Sequence, residues 1–155
     1  MGNLNTKTIA SGVDDILCVD GGLHASTERA VKDGDGTSSP LKLTTAKLVI
    51  DGKLVLGDAS ELTISSGAIT VTGCFHSVDT ESDAGSDDLA TINGGEEGQI
   101  LVLTANNTAR SVVVKDGTGN IKSAGDFTLD NTEDTIALIY VGSAWLELTR
   151  SNNGA

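Results

Sequence analysis

Thr135-Ile136-Ala137-Leu138-Ile139-Tyr140-Val141, the turn Gly142-Ser143 and the run Trp145-Leu146-Glu147-Leu148-Thr149 form the most regular stretch of this 155-residue chain. Seven residues without Gly or Pro, ended by a Gly-Ser pair and followed by a second apolar run, read as two strands around a tight turn. Side chains alternate across a strand, so Ile136, Leu138 and Tyr140 share one face, with Ile139 and Val141 on the other. The first strand is therefore apolar on both sides. In so small a domain, a neighbouring subunit is the natural cover for the second side.

Upstream the same texture repeats. Further strands are expected at 69–78, 99–103, 111–115 and 126–129, with Ile69, Val71 and Phe75 on one face. They are separated by the turn signals Asn93-Gly94-Gly95, Asn106-Asn107, Asp116-Gly117-Thr118-Gly119-Asn120 and Asp130-Asn131. Short strands at regular spacing predict an all-β fold, a small antiparallel sandwich or jelly-roll-like module over 69–155. Nineteen glycines, one proline and few aromatics agree with many tight turns.

The first forty residues differ. Ile16-Leu17-Cys18-Val19 is a short apolar cluster, and Asp33-Gly34-Asp35-Gly36-Thr37-Ser38-Ser39-Pro40 is an acidic connector. Residues 1–40 read as an extended arm that orders itself only on another surface. Residues 41–68 read as a β-hairpin or short connector, with Lys47-Leu48-Val49-Ile50 and Lys53-Leu54-Val55-Leu56 joined by a type I′ turn at Asp51-Gly52. A second reading stays open. Lys47–Gly52 and 53–58 are near copies, echoed by 61–66 and 67–72, and such short repeats occur in intertwined β stalks.

Composition and charge exclude several functions. Ten Lys+Arg against 22 Asp+Glu give a net charge of −12, which disfavours nucleic acid and anionic membrane surfaces as partners. No leader-like segment opens the chain and no run approaches the ~18 apolar residues of a membrane-spanning helix. Met1-Gly2-Asn3-Leu4-Asn5-Thr6 fits the loose myristoylation pattern without a polybasic partner. Asn106-Asn107-Thr108 is formally a sequon but reads as a polar hairpin loop. Cys18 and Cys74 are too few for a disulfide scaffold and read as reduced thiols of a protein made in a cytosol.

Reactive constellations are poor. His24 and His76 have no second ligand at metal spacing, and no nucleophile elbow, P-loop or dinucleotide fingerprint is present. Cys74 and His76 share a strand face but lack an orienting third group. The Asp33–Thr37 stretch resembles a calcium loop yet has Ser38 and Thr44 where a glycine and a glutamate are required. Asp79, Glu81, Asp83, Asp87 and Asp88 read as a solvated acidic loop or a structural cation site. Trp145 reads as an anchor of the last strand, with a ligand platform as the alternative. The residues predict no enzyme, cofactor or catalytic group.

The run Thr91-Ile92-Asn93-Gly94-Gly95-Glu96-Glu97-Gly98-Gln99-Ile100-Leu101-Val102-Leu103 is followed by Val112-Val113-Val114-Lys115-Asp116-Gly117-Thr118-Gly119-Asn120-Ile121. Then come Gly125-Asp126-Phe127-Thr128-Leu129, Asp134-Thr135-Ile136 and Trp145 to Ser151. Together they resemble the C-terminal β module of tailed-bacteriophage virion proteins: capsid decoration (cement) proteins, head fibres and short tail-fibre heads. The resemblance implies a homotrimer on the virion. Three chains of −12 would carry about −36, which suits an outer surface better than a DNA-filled interior.

The resulting expectation is a trimeric decoration protein on the outer capsid surface, partnered by the major capsid protein. The alternative is a short tail-fibre or head-fibre protein that binds a host receptor or surface glycan. Ile136, Leu138, Ile139, Tyr140 and Trp145 are the expected trimer interface. Ile16, Leu17, Val19 and Leu23 are the expected capsid anchor.

Overall fold

The structure is a computed structural model that describes residues 18–19, 23–32 and 37–154. The chain divides into two compact units, Met1–Val55 and Leu56–Ala155.

In the first unit, β1 (Cys18–Val19), β2 (Arg29–Lys32), β3 (Ser38–Leu43) and β4 (Leu48–Ile50) form an antiparallel sheet in that order. Strands β2 and the start of β3 thus replace part of the expected arm. The turn between β3 and β4 is made by Thr44, whose Oγ1 accepts the backbone N–H of Ala46 and Lys47, both at 3.0 Å. Its own N–H reaches the Lys47 carbonyl at 3.0 Å. A short hydroxyl side chain that closes a turn on the backbone outcompetes an alternative turn further on.

The expected hairpin at Asp51-Gly52 does not form. The Asp51 N–H instead continues the β3 ladder to the Pro40 carbonyl at 2.8 Å, and Lys42 donates to the Asp51 carboxylate at 2.5 Å. Neither Asp51 nor Gly52 has the positive φ that a type I′ turn demands. The chain therefore runs on through 53–56 without turning back.

The second unit holds eleven strands. These are β5 (Ser60–Thr63), β6 (Ala68–Thr70), β7 (Phe75–Asp79), β8 (Ser86–Leu89), β9 (Thr91–Asn93) and β10 (Ile100–Ala105). They continue with β11 (Ser111–Val114), β12 (Ile121–Lys122), β13 (Phe127–Leu129), β14 (Thr135–Val141) and β15 (Ala144–Ser151). A six-stranded sheet runs β12-β15-β14-β10-β7-β5, a three-stranded one β13-β11-β8, and β6 pairs β9.

Strands β5, β7 and β10 lie parallel, as do β6 with β9 and β8 with β11. Each return to a sheet is thus in the same direction, a solenoid-like winding, closed by antiparallel β13, β14 and β15. This corrects the expected antiparallel, jelly-roll-like topology while keeping the all-β class. The turns after β6 and β9 carry the chain onto another sheet, so consecutive strands are seldom neighbours.

The expected 69–78 strand is in fact two, β6 and β7, in different sheets. Phe75 is accordingly separated from Ile69 and Val71: it lies beside Val102, and Ile69 and Val71 are buried. The acidic stretch expected as a loop contains β8, whose two aspartates sit in the ladder with β11. Asn106 lies in a crossover between sheets and not in a hairpin.

The core is contributed by all three sheets. Leu89, Ile92, Leu101, Leu103, Leu129, Ile136, Leu138 and Trp145 are fully buried. Three polar ties fasten it. Trp145 Nε1 donates to the Ile92 carbonyl at 3.0 Å, which also accepts from Asn120 Nδ2 at 2.8 Å. Asp134 Oδ2 accepts the N–H of Asp130 and Asn131, and Oδ1 accepts those of Asn153 and Gly154. Asp79, buried, is held by Arg110, Asn106 and the Thr80 N–H.

Candidate interaction surface

The β14–β15 hairpin turns at Gly142 and Ser143, with φ of 55° and 76°. That two-residue geometry matches strand twist and fixes the register Tyr140↔Trp145, Ile139↔Leu146. A bulge between Ala137 and Leu138 shifts the register, so that Leu138 faces Glu147 and Ala137 faces Thr149.

The consequence is an inverted distribution of charge on β15. Glu147 and Arg150 turn inward, paired with each other; Glu147 also accepts the Ala124 N–H at 2.8 Å, and Arg150 stacks 5.0 Å over the Phe127 ring. The Arg150 guanidinium beside it holds the Glu147 carboxyl below the usual carboxylate range, against the opposing effect of burial. Leu146 and Leu148, by contrast, point outward, 36% and 54% exposed.

Neighbouring strands extend the same surface. Ile139 pairs with Ile100, 49% exposed, and Ala137 pairs with Val102, which lies beside Phe75; Val141 is also exposed. None of the outward positions on the central strands β10, β14 and β15 carries a charge. On a chain of net charge −12, an apolar patch without charge on three adjacent strands, bordered by Lys122 beside Leu146, is a candidate interface.

The expected interface residues divide across this sheet. Ile136, Leu138 and Trp145 are fully buried in the chain's own core and are not available to a neighbour, which corrects that assignment. Tyr140 is half-buried and packs edge-on against Trp145, centroids 5.0 Å apart. Ile139, half-buried, lies on the outward face. Ile100, Val102, Leu146 and Leu148 belong to that face and were missed. The signal was present in the alternation of the two runs, but only the pairing register says which runs lie side by side.

Of the expected anchor residues, Ile16 and Leu17 lie outside the described residues, Val19 lies on β1, and Leu23 is exposed. The Asp33–Gly36 stretch also lies outside the described residues.

Cys74 and His76 do not form a nucleophile–base pair. His76 Nε2 accepts the N–H of Thr72 and Gly73, so Nδ1 carries the proton and donates to Ser60. Both nitrogens are thus committed away from Cys74. His24 Nδ1 accepts the N–H of Ser26 and Thr27 in an exposed turn. A shallow depression is lined by Val71, Thr72, Gly73, Cys74, Gly94, Glu96 and Gln99, with the Gln99 amide bonded to the Gly73 carbonyl. Among the described residues, no three His, Cys, Asp or Glu side chains cluster as a metal site, and no helix is long and apolar enough to cross a membrane.

An all-β domain whose main sheet leaves an apolar patch exposed on its central strands is the class that this geometry defines. Residues 77–146 match the family described as the phage depolymerase C-terminal beta sandwich domain, a little under half of the chain. The match spans β7 to the start of β15 and so includes most of the apolar face. It supports a phage virion- or tail-associated structural protein, and it does not extend to capsid decoration. No curated protein matches the chain.

Proposed function

We propose that this chain is a non-enzymatic structural module of a phage tail fibre or tail spike, and that its copies associate as a homotrimer through the outward face of β10, β14 and β15. The observation that carries the reading is the pairing of Ile100 with Ile139 and of Ile139 with Leu146 on three central strands whose outward positions are uncharged, with Lys122 at their margin beside Leu146. Burying such a face is worth about 25 cal/mol per Å² of apolar area removed from water. Elsewhere, copies of an acidic chain repel one another. The likeness of 77–146 to a depolymerase C-terminal domain favours an appendage over capsid cement, the role expected from the resemblance alone. In an appendage the module would hold chains together and contact the host surface through its loops.

The test is localisation. Gold-labelled antibody against the chain, applied to intact virions, should mark the tail tip. Label spread over the capsid would overturn the appendage reading in favour of decoration. Turnover of bacterial polysaccharide by the purified chain would overturn the non-enzymatic one.

A further inference from the structure

The near copies Lys47-Leu48-Val49-Ile50 and Lys53-Leu54-Val55-Leu56 have different fates. The first contains β4, paired on one side with β3. The second has the same alternation and the same β-branched centre, yet belongs to no strand, and Leu54, Val55 and Leu56 are 70%, 76% and 43% exposed. Among the described residues, strand β4 is itself an edge of its sheet. Because the Asp51 N–H points at Pro40 in β3, the N–H and C=O groups of Leu48 and Ile50 point the other way, to the open edge. An apolar edge with unpaired backbone is a template for another strand.

We infer that the 53–56 segment of one copy adds as a strand to the β4 edge of a second copy of this chain. One chain thus carries both halves of a pairing that it does not make with itself, since Asp51 is held in the β3 ladder and the intervening turn lacks positive φ. Charge selects the direction. Antiparallel addition sets Lys53 beside Asp51 and brings Asp58 toward Lys47, whereas parallel addition opposes Lys53 to Lys47. Backbone bonds to the edge supply the affinity, and alternate apolar side chains set the register. The inference rests on the proposed self-association but uses a different surface, the β4 edge and the segment that follows it instead of the face of β10, β14 and β15.

Two measurements on the full chain test it. Leu54→Pro removes a backbone donor that this register turns toward β4, from a segment that makes no ladder bond among the described residues, so the fold is kept while strand addition is lost. Light scattering should show L54P at a lower mass than the wild type at equal concentration. Amide exchange at Leu56 should be slowed on the order of 100-fold in the wild-type assembly and return to the free rate in L54P. Wild-type mass in L54P, or free exchange at Leu56 in an assembled wild type, overturns the inference. Ile139→Glu separates the two surfaces. If I139E dissociates the assembly and L54P does not, the outer-face reading stands and this one falls. The reverse pattern retains this one and removes the other.

Discussion

Replacing Asp134 with Ala removes an acceptor that ties two separate segments together. Its carboxylate is completely buried: Oδ2 serves Asp130 at 3.1 Å and Asn131 at 3.0 Å, and Oδ1 serves Asn153 at 2.8 Å and Gly154 at 3.2 Å. A buried donor left without its acceptor costs about 1–3 kcal/mol, but Asp130 and Asn153 are exposed residues whose N–H groups can turn to water, so the sum falls at about 3 kcal/mol. For a unit of this size that corresponds to a drop of roughly 12–24 °C in melting temperature. Asp134→Asn keeps one acceptor oxygen and turns an NH₂ toward the other pair of donors, so its loss should be comparable or slightly smaller.

The pH dependence follows from the same contacts. Burial pushes the Asp134 carboxyl up, but the N–H groups of Asn153, Gly154 and Asp130 outweigh it and hold it below the ordinary 3.8. A lowered folded value means that the contribution is full above 3.8 and is lost as pH falls below it. The gap between wild type and D134A, read from thermal melts, should hold constant from about pH 7 to 5 and narrow below about 3.8. A D134A melt within 2 °C (roughly 0.5 kcal/mol) of wild type at neutral pH would refute the reasoning.

Gly95 lies against the aromatic pair, where an added Cβ would come within 2.5 Å of the Tyr140 ring and 2.8 Å of Trp145. Gly95→Ala should therefore cost about 1–3 kcal/mol and shift the Trp145 emission, measured by fluorescence-monitored denaturation. Arg110→Ala leaves the Asp79 carboxylate buried with only Asn106 and the Thr80 N–H, and should cost about 2–3 kcal/mol at neutral pH by urea titration. That deficit should shrink under acid, because burial raises and Arg110 lowers the Asp79 carboxyl to a net position below 3.8.

Sequence periodicity located β14 to the residue, because seven apolar-rich positions are bounded by Asp134 and Gly142. It also assigned Ile136 and Leu138 to one face and Ile139 and Val141 to the other. What it lacked was register. Without the Ile100↔Ile139 pairing, the two faces of β14 could not be told apart as core and surface, and both contributed to the expected interface. The parallel winding was hidden for a related reason: turn residues such as Asn93-Gly94-Gly95 mark where the chain bends, not which sheet it joins next. Strand β8 was masked by Asp87 and Asp88, residues of low β propensity held by the ladder to β11. Likewise, Asp51-Gly52 is a strong local turn signal that lost to tertiary bonds from Pro40 and Lys42.

The association claim is tested most directly by the mass of the purified chain in solution, set beside that of Ile139→Glu. Three copies of a 15.8 kDa chain give about 47 kDa, the mass expected for the wild type, with I139E shifted toward the single-chain mass while its far-ultraviolet circular dichroism stays that of the folded chain. A wild-type mass of 15.8 kDa at every concentration tried, or an I139E variant that stays fully assembled, would contradict it.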